Sequence, residues 1–287
     1  MPITLAGRYN RAMDIGKVVA IGWRAAEILG DMAADVRAFA PLTASIYIAA
    51  GGEILWLGGP SDLMHPRAIL LSALPDPSAY VRDDTFTVVA PRPIPWRPDT
   101  PTAGAAAALA VREGARALAA AAPSLGDVDG FGRWLMRKPL RFTLTGAAKA
   151  ADALAAACAG DDAPAATEAA MSLLGLGPGL TPSGDDFVGG ALFARGALAA
   201  LGAADATAWS RAAAIVGEAA RDATTPISVA LLGDLLEGHG WSALHELVCA
   251  LAADDLARAV SAAARLTRLG HSSGWDVLAG FIAGAAG

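Results

Sequence analysis

The sequence predicts an α+β protein, with a small β-rich N-terminal subdomain followed by a larger, Ala-rich helical C-terminal subdomain. Three observations predict it. Alanine rises from 16 in residues 1–100 to 55 in residues 101–287. Short β-rich runs, Ser45-Ile-Tyr-Ile-Ala-Ala50 and Glu53-Ile-Leu-Trp-Leu57, lie in the first hundred residues, where such side chains suit a pleated, half-buried surface. Between the two lies the stretch 91–101 with five prolines, which can continue neither a sheet nor a helix. The boundary is placed there, giving subdomains 1–98 and 99–287.

Within the first part, 45–50 and 53–57 read as strands joined through Gly51-Gly52, a strong hairpin signal. Further strands are expected at 67–72 and 85–90, with turns at 58–60 and 75–77. The second part reads as helices at about 102–122, 128–137, 145–158, 163–174, 185–202, 205–221, 226–237, 241–252, 254–267 and 275–285, punctuated by Gly and Pro. Residues 1–14 carry Arg8, Arg11 and Asp14 and no apolar core, so no signal peptide is expected there.

Composition excludes several classes. With 54% apolar and 17% charged residues the chain is not intrinsically disordered. A net charge of −6 argues against nucleic-acid binding, which needs a basic face to neutralise phosphates. Mean hydropathy is +0.43, yet the longest apolar stretches fail as membrane spans: 187–203 contains Arg195, and 277–286 is too short. A cytoplasmic protein with no membrane partner is expected. Cys158 and Cys249 have no metal-ligand spacing and read as buried thiols in a reducing compartment.

One segment departs from the bland remainder: Gly175-Leu-Gly-Pro-Gly-Leu-Thr-Pro-Ser-Gly-Asp-Asp-Phe187. Its glycines let backbone N–H groups approach a ligand, its prolines stiffen the loop, and a helix begins near Ser183 with its unpaired donors outward, so it can accept an anion. It lacks the Lys of a phosphate-binding P-loop. A second segment repeats it, since Ser183-Gly-Asp-Asp-Phe-Val-Gly-Gly190 aligns on Ser273-Gly-Trp-Asp-Val-Leu-Ala-Gly280, 90 residues later. Helix capping alone explains Ser and Asp three residues apart. It does not require Gly177, Gly179, Asp185 or the His271-Ser272 before the second copy. A third polar helix start, Thr224-Thr225-Pro226-Ile-Ser228, is ordinary capping chemistry, but all three starts could share one pocket.

The candidate catalytic groups are therefore Asp185, Asp186, His271 and Asp276, able to hold a substrate N–H or move a proton. The candidate substrate and phosphate ligands are Gly177, Gly179, Thr181, Ser183, Gly184, Thr225, Ser228, Ser272, Ser273 and Gly274. No metal site is assigned, although the Asp residues leave a divalent cation such as Mg²⁺ open as a cofactor. His271 could instead only hydrogen-bond its own loop, and His65, His239 and His245 read as structural or surface residues. Arg133 and Arg137, at i,i+4, could clamp an anion or belong to a solvated face. No Gly-x-Ser-x-Gly elbow or dinucleotide-binding fingerprint is present.

The thirteen-residue string 175–187, followed by Gly270-His-Ser-Ser-Gly-Trp-Asp276, resembles a bacterial family long labelled a domain of unknown function. That family includes the third subunit of the allantoin-pathway oxamate carbamoyltransferase. The resemblance extends to Thr224, Thr225 and Ser228 and, loosely, to the Gly-Gly-Pro and His65-Pro66 stretch. It implies a transferase subunit of purine catabolism interconverting oxalurate plus phosphate with oxamate plus carbamoyl phosphate, with further subunits as partners. Two alternatives stand beside it. One is a non-catalytic assembly subunit whose motifs serve helix packing, and the other is a stand-alone metal-assisted enzyme.

Overall fold

The computed structural model describes residues 17–30, 34–74, 76–77, 85–88 and 93–286. The chain divides into two compact units, the first ending at Arg97 and the second beginning at Pro98. Residues 1–14, Pro75 of one expected turn, the end of the strand expected at 85–90, and Pro91 of the proline-rich stretch lie outside the described residues.

The first unit is a six-stranded sheet in the order β1-β5-β4-β3-β2-β6. Its strands are β1 (Val18–Ile21), β2 (Ala34–Pro41), β3 (Ile46–Ala50), β4 (Glu53–Gly58), β5 (Ala68–Leu71) and β6 (Thr85–Val88). The β3–β4 hairpin turns at Gly51 and Gly52, with φ of 58° and 86°, as a two-residue turn twisted to match its strands demands. β4 and β5 pair in parallel while the other pairs are antiparallel. Helix α1 (Trp23–Leu29) was not expected in this β-rich part. Its Ala25, Ala26, Ile28 and Leu29 pack against Val18, Val36, Ile46, Ile48, Leu55, Leu57, Ile69 and Leu71 to form the core. His65 is structural: it is buried, and its Nδ1 accepts the Arg67 N–H at 3.2 Å.

The second unit comprises α2 (Ala105–Ala121), α3 (Gly132–Leu135), α4 (Ala148–Ala159), α5 (Ala163–Met171), α6 (Ser183–Ala200), α7 (Ala206–Ala223), α8 (Pro226–Leu236), α9 (Ser242–Ala252), α10 (Leu256–Leu266) and α11 (Ser273–Ala285). No described helix is long and apolar enough to cross a membrane. The helix expected at 128–137 is cut to one turn, because Gly130 and Arg137 on either side of it take φ of 53° and 55°. Arg133 and Arg137 consequently share no helical face. Arg133 Nε donates to the Pro139 carbonyl at 2.7 Å, and exposed Arg137 lies 4.0 Å from Asp152. Cys158 is buried as expected, and burial pushes its thiol up to about 12, whereas Cys249 is only half-buried.

The short motif repeat belongs to a larger one, in which α4–α5–loop–α6 is matched by α9–α10–loop–α11. Before α5, Asp161 is left-handed and the Asp162 side chain caps the Ala165 N–H at 3.0 Å. Before α10, Asp254 is left-handed and Asp255 caps the Arg258 N–H at 3.0 Å. Leu154, Ala157, Ala166, Ala170 and Leu173 are buried in the first copy, and Leu247, Ala250, Ala259, Ala263 and Leu266 occupy the same places in the second. Asp162→Ala and Asp255→Ala are each expected to lose about 1 kcal/mol, adding in the double variant because the caps sit in separate copies. Urea unfolding followed by circular dichroism reads both, and a silent cap in either copy would contradict the equivalence.

The two copies meet along α6 and α11, and glycines permit it. A Cβ on Gly190 would lie 2.2 Å from the Val277 carbonyl oxygen, and one on Gly280 would lie 2.0 Å from that of Phe187. Gly284 of α11 adds a second close approach from that side, since a Cβ there would lie 2.3 Å from the Ala191 carbonyl oxygen. The reciprocity brings both copies' motifs to the same end of the helix pair.

Candidate functional site

The loop before α6 is shaped by left-handed Gly175, Gly177 and Gly179, with φ of 73°, 116° and 100°. A side chain at Gly175 would also strike the Ala223 carbonyl, 2.4 Å away, while Gly179 has open space around it. Asp185, in the first turn of α6, holds this loop. It accepts the Gly175 N–H at 2.7 Å, the Ser228 hydroxyl at 2.6 Å and the Thr224 hydroxyl. Three donors occupy both of its oxygens, so Asp185 ties the loop to α7 and α8. Thr225 caps α8 by accepting the Ser228 N–H at 3.1 Å and donates to the Leu180 carbonyl.

Capping does not account for the motif serines. Pro182 and Ser272 flank the two helices, and neither makes a side-chain capping bond. The hydroxyls cross between the copies instead: Ser183 meets Ser272 at 3.3 Å, and Thr181 meets Ser273 at 3.0 Å. Gly184 and Gly274, expected to offer N–H groups to an anion, give them to the carbonyls of Leu176 and Leu269 at 2.8 and 3.0 Å. Their lack of a side chain lets each helix start pack on the preceding turn, since a Cβ on either would fall 1.9 Å from a Leu173 or Leu266 carbonyl oxygen.

Beneath the hydroxyls lie two buried carboxyls. Asp276 is fully buried and accepts the Phe131 N–H at 2.6 Å through Oδ1. The Ser183 and Ser272 hydroxyls also favour its charged form, but burial outweighs them and, with nearby Asp129, pushes it up to about 7. Asp186 has only the hydroxyls of Ser273 and Thr181. Burial first, then the charges of Asp276 and Asp185, hold it well above the ordinary carboxylate value. The Oδ2 of each is buried without a hydrogen-bond partner. A buried carboxylate oxygen left unpaired is costly for a fold and is concentrated at functional sites.

His271 stands apart from this pair. It is 91% exposed, with Nε2 3.3 Å from Asp129 Oδ2, the oxygen that also accepts from Arg141 at 3.1 Å. The 125–131 loop therefore approaches α11 through three residues that sequence reasoning missed: Asp127, whose carbonyl accepts the Trp275 indole N–H at 2.7 Å, Asp129 and Phe131. Gly130 makes the approach feasible, because a Cβ there would lie 2.0 Å from Asp276 Oδ1. The Asp-Gly pair at 129–130 is an ordinary turn signal, and nothing local announced its distant partner. Among the described residues, no three His, Cys, Asp or Glu side chains are placed to share a metal ion.

Residues 173–285 match the model of a family described as oxamate carbamoyltransferase subunit AllH, the family that the two motifs resemble. The matched span holds both motif copies, Thr225 and Ser228. No curated protein and no solved structure matches the chain.

Proposed function

We propose that the chain is a subunit of a carbamoyltransferase-type enzyme that takes a small anionic ureido or carbamoyl substrate at the joined N-terminal ends of α6 and α11. The observation that carries this reading is the convergence of both motif copies on one pair of buried carboxyls, Asp186 and Asp276, beneath four hydroxyls. In the reaction implied by the family, oxalurate and phosphate exchange a carbamoyl group to give oxamate and carbamoyl phosphate. The nitrogen of the leaving amide must gain a proton while the attacking phosphate loses one. Asp276, pushed up to about 7, beside Asp186, held above the ordinary carboxylate value, suits both transfers. The glycine-bearing loop 177–181, which is part-exposed, lies where its backbone donors can meet the anionic end of the substrate.

A second reading, an assembly subunit without catalytic work of its own, draws support from the glycines. Gly184, Gly190, Gly274 and Gly280 all serve close packing of backbone on backbone. The two readings part on ligand response. Calorimetric and thermal-shift titration of the purified chain, alone and with its complex partners, with phosphate, carbamoyl phosphate, oxamate and oxalurate, each with and without Mg²⁺, tests them. The enzyme reading expects stabilisation of about 2.7 kcal/mol at a ligand concentration roughly 100-fold above Kd, lost in Ser273→Ala. No response in any format leaves the assembly reading.

A further inference from the structure

We propose that Asp186 and Asp276 act as one proton-sharing pair that receives a neutral carboxamide or ureido group, one carboxyl donating to its carbonyl oxygen and the other accepting its N–H. The proposal rests on the site reading above and adds which end of the ligand the carboxyls meet.

The geometry supports it in three ways. First, the pair is composite: Asp186 of the first copy is served by Ser273 of the second, and Asp276 of the second by Ser183 of the first. The two carboxyls therefore occupy one desolvated place, where two carboxylates resist ionising together and titrate as a unit. Second, their surroundings are unequal. Asp276 accepts a fixed backbone N–H from Phe131, which favours its charged form. Asp186 has hydroxyls alone, which can rotate to accept a proton as readily as to donate one. The charged groups facing the pair are acidic, Asp185 from α6 and Asp129 from the 125–131 loop. Arg141 and His271 reach Asp129 rather than the pair. Third, each carboxyl keeps an Oδ2 that is buried and unpartnered, in residues only 8% and 0% exposed.

A pair holding one proton presents one donor and one acceptor. A carboxamide presents one acceptor and one donor side by side, so both Oδ2 atoms are satisfied at once. A carboxylate offers acceptors only, and a phosphate, although it keeps a P–OH donor near neutrality, carries one or two negative charges, so either would set its charge against the ionised member. The anionic end of a substrate must then lie elsewhere, toward the loop donors.

The test uses the full chain with Asp186→Asn and Asp276→Asn, near-isosteric changes whose folding is checked by circular dichroism. Infrared spectroscopy at neutral pH should show a protonated-carboxyl band that shrinks in Asp186→Asn. Calorimetry should show acetamide and urea binding better than acetate or inorganic phosphate in competition at this pair. Amide affinity should rise several-fold as pH is raised through about 7, where Asp276 becomes a charged acceptor, and Asp276→Asn should lack that rise. Without ligand, Asp276 keeps in the folded chain, between about pH 4 and 7, a proton that it loses in the unfolded one, so its contribution to stability falls as pH rises across that window. Asp276→Asn should flatten this slope. A missing band, or acetate competing as well as acetamide, would overturn the proposal. A band with amide binding but no response to oxamate or carbamoyl phosphate would uphold the pair and sink the carbamoyl reading alone.

Discussion

Gly280→Ala is expected to cost about 3 kcal/mol or more, although it adds a single methyl group. The added carbon would lie 2.0 Å from the Phe187 carbonyl oxygen, 2.8 Å from its carbon and 3.0 Å from the Ala191 nitrogen. All three are backbone atoms of α6, so no side chain can rotate away, and relief requires moving one helix against the other. Overpacking that shifts backbone costs 1–3 kcal/mol and sometimes more, and here the contact is the seam joining both copies. The same movement would part Asp186 from Asp276, so ligand response should fall beyond what instability explains. Gly196→Ala is the control: it lies in α6, is exposed, and would meet nothing within 4 Å. That variant should gain about 0.5–1 kcal/mol from helix propensity. Urea unfolding of the two variants decides the matter, and equal stabilities would mean that the helices are not held by this close approach.

What could be read in the sequence was local. Gly51-Gly52 marks its hairpin because two left-handed residues are needed there and little else supplies them cheaply. The alanine-rich helices are legible from punctuation, and the helix starts at Ser183 and Ser273 from their Ser-Gly-x-Asp pattern. Helix α1 was missed because seven residues behind Gly22 carry no capping side chain. The parallel pairing of β4 with β5 depends on which strands meet, which no short pattern specifies.

The site illustrates the same division. Ser and Asp three residues apart are a capping signature in sequence, but the serines turn toward the opposite copy once α6 and α11 lie together. Asp276 finds its backbone donor at Phe131, 145 residues earlier. The wider repeat was equally hidden. Its copies run 93 positions apart through Leu173 and Leu266, and 90 apart from Ser183 and Ser273, because the first loop is three residues longer. The matching alanines and leucines are lost among the many others of these helices, so the Asp161-Asp162 and Asp254-Asp255 pairs are the plainest marks.

Asp161→Asn is the second large effect, expected to cost about 2–3 kcal/mol, because it strands a charge that the first copy buries and the second does not. Arg195 is the largest fully buried side chain among the described residues. Its guanidinium stacks 4.6 Å from the Trp209 ring centroid, pairs with Asp161 and donates to the Gly284 carbonyl at 3.4 Å. Asp161 also accepts the Trp209 indole N–H at 2.7 Å, so one carboxylate links α6, α7 and the α4–α5 turn. Burial lowers the Arg195 pKa, with Asp161 as the chief opposing influence. Removing one member of a buried pair commonly costs 3–5 kcal/mol, since the other charge stays desolvated without compensation. The expected loss is smaller because Asp161 is 42% exposed and Asn keeps an acceptor for both donors. Asn also tolerates the left-handed backbone at 161, φ 54°, so the change isolates charge from strain. Replacing both partners, as Asp161→Asn with Arg195→Met, should recover much of the loss, because an apolar side chain needs no counter-charge. A double-mutant cycle by urea unfolding measures this, and additive losses would show that the charge pair contributes no coupling.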